Sequence, residues 1–261
     1  MAWHQFQLPF DHQDPTGALP DSVAHSEVLH NFVKPPIHGW AWRRLRGLPV
    51  ARAGLPEAYR RMVLWTRFWL DHRRAPGHAV PHYQHGNDSG WDNATTFDDA
   101  RVIESADLAA FLTLQLRCLA EMAAELGEPD AGWNEEADRM RDAVLGTGRR
   151  SGTSLLDLMP IVLGEELPPP VAAALAHDIE RHLTEHGLAT ELVDSPRYEA
   201  DGYWRGPIWA PPTVLIEDGL RRAGHVALAD EISRRFRVLC ERSGFAENFD
   251  ARTGAGLRDR A

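Results

Sequence analysis

Apolar residues along this chain recur at three- and four-residue steps and not at alternate positions, the period of helices and not of half-buried strands. The longest pattern runs through Leu108, Phe111, Leu112, Leu114, Leu116, Leu119, Met122, Ala123 and Leu126. Ser105 or Asp107 caps it and Gly127 ends it. Its apolar residues fall on more than one face, which predicts a helix buried on two sides. Before it, Pro35-Pro36 suits the first turn of a helix reaching about Leu45, and Pro56-Glu57 opens another with Met62, Trp65, Phe68 and Trp69 inward. After it, helices are expected over 133–144, 154–163, 168–183, 207–223 and 225–242. Residues 1–20 are rich in Pro, Gly, His and Asp without periodicity and read as irregular; Asp21 and Ser22 offer helix caps ahead of Val23, Leu29 and Phe32.

Roughly eight helices and no convincing hairpin make the chain all-α. Short turns alternate with long polar loops that carry most Trp, Asn, Asp and Gly clusters. Such an arrangement suits a barrel of helical hairpins with its functional residues at one mouth. The 261 residues, 43% hydrophobic, are enough for a single large domain over 1–261.

A formal net charge of -10 argues against nucleic acid or an anionic membrane face as the partner and favours a neutral or cationic small molecule. Cys118 and Cys240 each fall in an apolar helical pattern, so they read as small hydrophobes and fit a reducing compartment. No run approaches about 18 uninterrupted apolar residues and no export signal opens the chain, so a cytoplasmic location is expected.

Three stretches carry candidate chemistry. His85-Gly86-Asn87-Asp88-Ser89-Gly90-Trp91-Asp92-Asn93 is too irregular for a helix and too polar for a core. Phe245 to Gly256 has the same character, with Glu247 among aromatic residues. Cleaving a glycosidic bond takes one carboxylic acid to protonate the leaving oxygen and one carboxylate to attack the sugar or activate water, and Asp92 and Glu247 on separate loops supply that pair. The bland alternative makes Asp92 a helix cap and Glu247 a surface residue. Tyr198 to Trp209 adds Tyr203, Trp204 and Trp209, whose flat faces suit sugar rings, unless they only pack the helix opened by Pro207. Arg205 is placed to fix a carboxylate by a two-pronged contact, from a neighbouring loop or from substrate.

His78, His82 and His85 are close in sequence, but no Cys pair or His-Glu-x-x-His pattern accompanies them, so no metal is expected. Asp98-Asp99 and Glu165-Glu166 read as solvated helix ends. Phosphate-binding glycine loops and nucleophile elbows are both missing from the sequence, and no cofactor is expected.

Lys34-Pro35-Pro36 with Gly39-Trp40, Asp88 to Asn93, Tyr203 to Trp209, and Phe245 to Phe249 with Thr253-Gly254 together resemble the catalytic domain of glycoside hydrolase family 63 and its mannosylglycerate and glucosylglycerate hydrolase relatives. The resemblance spans about residue 20 to the C-terminus. It implies an (α/α)6 barrel and an inverting glycosidase of α-glucosides or α-mannosides, with Asp92 as general acid and Glu247 as general base. Inversion sets the carboxyl groups about 6.5–9.5 Å apart. Tyr203, Trp204, Arg205 and Trp209 would line the sugar subsite, with Lys34, Gly90 and Trp91 close by.

The family's barrel is longer than this chain. Counterparts of early helices before Met1 and of a closing helix after Gly256 are missing, and the segment around 146–153 is shortened. An incomplete barrel is therefore expected, with apolar helix faces open to a second copy. A carbohydrate-binding remnant without turnover is the competing reading. An isoprenoid cyclase is disfavoured, because Asp98-Asp99 lacks further acids at helical spacing.

Overall fold

The computed structural model describes residues 1–146 and 152–260. The shortened stretch expected around 146–153 lies largely outside the described residues. The chain divides into two compact units, residues 1–90 with 101–148 and residues 91–100 with 149–261.

The first unit is built around the long helix α5 (Ala106–Leu126), which ends on the left-handed Gly127 (φ 71°), as its sequence predicts. Helices α2 (His38–Leu45), α4 (Leu55–Arg67) and α6 (Trp133–Gly146) pack on it. Between α2 and α4 lies the short α3 (Pro49–Ala53). Met62, Trp65 and Trp69 are fully buried and Phe68 nearly so, in the inward stripe their spacing predicts. α2 approaches α5 so closely that a Cβ on Gly39 would sit 2.5 Å from the Gln115 Cα. In the space this leaves, the Gly39 N–H donates to Gln115 Oε1 (3.2 Å), and Gln115 Nε2 donates to Thr66 Oγ1 (2.9 Å). A buried polar chain of this kind satisfies every member and so fixes the register of three helices.

Two expectations for the first thirty residues are corrected. Residues 2–12 are helical, as α1 (Ala2–Gln7) followed by a 3₁₀ turn over Leu8–His12. Trp3, Phe6 and Phe10 stand at helical spacing and pack against His38 and Trp42. The helix expected after Asp21 is a two-rung antiparallel ladder, β1 (Ser22–Val23) with β2 (Val28–Leu29).

In the second unit a 3₁₀ segment, Leu155–Glu166, is capped by Ser154 Oγ and packs against α7 (Pro169–His182) and α8 (Ala210–Arg222). A Cβ on Gly219 would lie 2.3 Å from the Ile161 carbonyl oxygen, so α8 rests almost backbone to backbone on that segment. α9 (Val226–Ser243) packs on α8 and leads into a hairpin of β3 (Ala246–Phe249) and β4 (Gly256–Arg260). No alternating pattern in the sequence predicts this hairpin. Its turn is set by Asp250 Oδ1, which accepts from the Arg252 and Thr253 amides (2.7 and 3.0 Å), and by the left-handed Gly254. Among the described residues no helix is long and apolar enough to cross a membrane.

His182, at the end of α7, is buried and exchanges two bonds with Ala189: its Nδ1–H donates to the Ala189 carbonyl (2.9 Å), and the Ala189 amide donates to the His182 carbonyl (3.0 Å). Burial pushes the imidazole down to about 4, partly offset by the bond to Ala189. A depressed folded-state value means that protonation favours the unfolded chain, so this stability is complete above about pH 6.5 and is lost as the pH falls toward 4. His182→Asn keeps a donor for Ala189 without a titrating group. The difference in unfolding free energy between wild type and this variant should therefore change by up to about 1.4 kcal/mol per pH unit between pH 6.5 and 4. Urea unfolding across that range measures it, and a constant difference would refute the assignment.

Candidate active site

Asp92, Glu247, Trp91, Tyr203, Trp204, Arg205 and Trp209 all belong to the second unit, whereas Lys34 and Gly90 belong to the first. Lys34 Nζ bonds the Asn87 carbonyl (2.8 Å) and pairs with Asp21 (3.0 Å). Gly90 is left-handed (φ 74°) and ends a 3₁₀ turn over Gly86–Ser89. In that turn Asp88, buried, accepts from the Val33 and Gln84 amides and from Arg73. His85 caps it by accepting the Asn87 amide, and His78 faces the Glu104 carboxylate. Among the described residues no group of three acids, histidines or cysteines is placed to hold a metal ion.

In the second unit the strand that carries Glu247 is anchored by one backbone pair. Ile208 and Phe249 exchange both backbone hydrogen bonds (2.7 and 3.0 Å) within a buried cluster that includes Ala189, Leu239 and Ala251. Glu247, two residues before Phe249 on β3, is exposed on the strand so anchored. The segment leading to Ile208 turns sharply. A Cβ on Gly206 would lie 2.5 Å from the Glu199 carbonyl oxygen and 2.8 Å from the Tyr198 ring. Tyr203 has φ 65°, a left-handed conformation that costs an aromatic residue about 1–3 kcal/mol unless its surroundings enforce it.

The surroundings do enforce it. Trp209 Nε1 donates to the Tyr203 carbonyl (2.9 Å), Asn93 Nδ2 donates to the Gly202 carbonyl (3.0 Å), and the Trp204 amide donates to Asn93 Oδ1 (3.1 Å). The result is a half-buried phenol whose OH donates to Glu247 Oε1 (3.2 Å). Its ionisation is pushed above the ordinary tyrosine range, by burial first and then by the negative charges of Glu247 and Asp92. The phenol therefore stays a donor. Arg258 Cζ lies over its ring at 5.8 Å.

The indoles stack on one another. Trp204 lies on Trp209 with centroids 4.0 Å apart and planes at 8°, and Trp91 tilts onto Trp204 at 4.8 Å. All three are buried, so most of their surface is taken up by packing within the protein. Arg205 makes the two-pronged contact its sequence context suggests, and the carboxylate is a neighbouring loop's: Nη1 and Nη2 donate to the two oxygens of Asp98 (2.7 and 3.0 Å). Its Nε donates to Glu199 and its Nη1 also reaches the Asn93 carbonyl. Thr95 Oγ1 donates to the buried Glu191 (2.6 Å), which also accepts from Ser195. The sequence assigns Asn93 no role of its own and reads Asp98 as a solvated acid, and the structure corrects the second reading, since Asp98 holds the Arg205 fork. The adjacent Arg205 and the Asx-rich stretch were the available signals.

A bidentate contact is specific to the guanidinium fork. Arg205→Lys should therefore lower stability by about 1–2 kcal/mol, a fall in Tm of roughly 2–8 °C for a chain of this size. Calorimetry checks this, and an unchanged Tm would show that the Asp98 contact contributes nothing.

The mannosylglycerate hydrolase of Rubrobacter radiotolerans is 23% identical to the chain over an alignment of 321 residues, covering 91% of this chain and 72% of that protein. The structure of the family 63 mannosylglycerate hydrolase from Thermus thermophilus in complex with glucose superposes with a TM-score of 0.88 at 22% identity, over 99% of this chain and 84% of that one. The same enzyme in complex with Tris and D-glycerate gives 0.89 at 20% identity, over 99% and 85%. These likenesses show a shared fold, in agreement with the all-α, (α/α)6-type class expected from the sequence. The family model described as the mannosylglycerate hydrolase MGH1-like glycoside hydrolase domain matches residues 1–261 in full, and the chain belongs to that glycoside hydrolase family.

Proposed function

We propose that the chain hydrolyses an α-mannosidic or α-glucosidic bond with inversion, Asp92 serving as general acid and Glu247 as general base. The observation that supports this most is the single phenol of Tyr203, which is hydrogen-bonded to Glu247 and held protonated partly by the charge of Asp92. Both carboxylates bear on this one small polar group, which supports assigning them to one substrate.

In this mechanism the Asp92 carboxyl gives its proton to the departing glycosidic oxygen as the bond from the anomeric carbon breaks. A water molecule attacks that carbon from the opposite face and loses a proton to Glu247. Tyr203 occupies Oε1, which leaves Oε2 to receive the proton. Trp91, Tyr203, Trp204, Arg205 and Trp209 are the residues we assign to the sugar subsite. The aromatic stack offers edges and one half-buried phenol ring, and Arg205 acts through the loop it holds. Lys34 and Gly90 keep only the role that the family resemblance gives them. The reading of residues 1–261 as one catalytic domain rests on the span of the family match.

The substrate we propose is a glycosylglycerate, a small carbohydrate. It is named in the relatives' activity and matches the glucose and D-glycerate bound in the Thermus enzyme.

Release of sugar from mannosylglycerate, glucosylglycerate and simple α-glycosides by the purified chain tests the assignment. Asp92→Asn and Glu247→Gln should each lower kcat by about 10²- to 10⁴-fold while leaving each variant folded. Turnover that survives either change would overturn the catalytic pair. A folded wild-type chain that binds these sugars without cleaving them would establish the binding remnant instead.

A further inference from the structure

Resting on that catalytic pair, we infer that Asn93 is a positioning residue: its carboxamide brackets Tyr203 and thereby fixes where the Asp92 loop stands relative to Glu247. Asn93 is joined by one peptide bond to Asp92, so any constraint on it is transmitted to the acid. Its Nδ2 donates to the carbonyl of Gly202 and its Oδ1 accepts from the amide of Trp204. These are the backbone groups on either side of Tyr203. The third backbone group of that turn, the Tyr203 carbonyl, is taken by Trp209 Nε1, and the Gly202 carbonyl also receives the Arg205 amide. The turn so held puts Tyr203 at φ 65° and directs its OH to Glu247 Oε1. One side chain therefore links the acid's loop, the strained turn and the base.

The chemistry required of position 93 is narrow. It needs one acceptor and one donor, in one plane and on a short stem, and a carboxamide carries both. A carboxylate has no donor and would set a negative oxygen against the Gly202 carbonyl. A longer stem would move both groups off their partners. Arg205 Nη1 on the Asn93 carbonyl, the Asp98 fork and the Thr95–Glu191 bond also hold this loop, while the Asn93 carboxamide grips the backbone on both sides of Tyr203.

The test compares wild type with Asn93→Ala, Asn93→Asp, Tyr203→Phe and the Asn93→Ala/Tyr203→Phe double variant, with kcat expressed per folded chain. Misplacement of a reacting group by about 1 Å costs on the order of 10²-fold. Asn93→Ala should accordingly lower kcat by roughly 10- to 100-fold with KM within about threefold of wild type. The double variant should be no worse than the worse single one. Asn93→Asp should recover toward wild-type activity, measured at the same pH, as the pH falls toward about 4, where the introduced carboxyl regains a donor. In a crystal structure of Asn93→Ala, Tyr203 should leave its left-handed conformation and its OH should leave Glu247.

Wild-type kcat in Asn93→Ala beside an inactive Asp92→Asn would overturn the inference, as would additive effects in the double variant. So would a Tyr203 unmoved in the crystal. That last readout needs no turnover, so it decides the clamp even if Asp92→Asn and Glu247→Gln remain active and the catalytic pair itself is wrong.

Discussion

Ile208 and Phe249 exchange both of their backbone hydrogen bonds inside an apolar cluster, and the candidate site of the second unit is built outward from that pair. Buried amides without water must find protein partners, so the register between the 203–209 segment and β3 cannot slip by a residue without orphaning them. A one-residue slip would also carry Glu247 to the opposite face of its strand. With that register fixed, Tyr203 and Glu247 meet, and the remaining contacts decide how firmly. The left-handed Tyr203 is the visible cost of the arrangement, and it sits where a functional constraint is expected to concentrate strain.

The helices were the most legible part of the chain. The pattern from Leu108 to Leu126, closed by Gly127, predicts α5 to within two residues at each end because burial on several faces leaves a long periodic signal. Short elements were less legible. Trp3, Phe6 and Phe10 make only about two turns of periodicity among Pro, His and Asp, and their helix exists because Trp42 and His38 supply the surface they cover. The β3–β4 hairpin has no clean alternation because a register irregularity separates Ala246 from Asn248. Its turn signal, Asp250 to Gly254, is present in the sequence, but without flanking alternation it reads as a loop.

For the site, residue type was more legible than residue role. Arg205 reads from sequence as a carboxylate clamp, and the structure supplies Asp98, an acid whose sequence context suggests only solvent. Trp204 and Trp209 read as sugar platforms, yet their faces are spent on each other at 4.0 Å. Trp209 also commits its indole N–H to the Tyr203 carbonyl, so the stack serves the backbone of that turn. An aromatic cluster in a loop thus leaves open which rings would meet a ligand and which hold the backbone. That distinction depends on long-range pairing between residues about 110 positions apart, such as Asn93 with Trp204, which no local pattern encodes.

The proposed mechanism has Asp92 and Glu247 act on opposite faces of one anomeric carbon. Proton NMR of the first sugar released from an α-linked glycosylglycerate, recorded before mutarotation, tests it directly. The account predicts the β-anomer as the initial product. Initial release of the α-anomer would mean retention, with a covalent intermediate and carboxyl groups about 5 Å apart, and would contradict the assignment of Glu247 as a base that activates water.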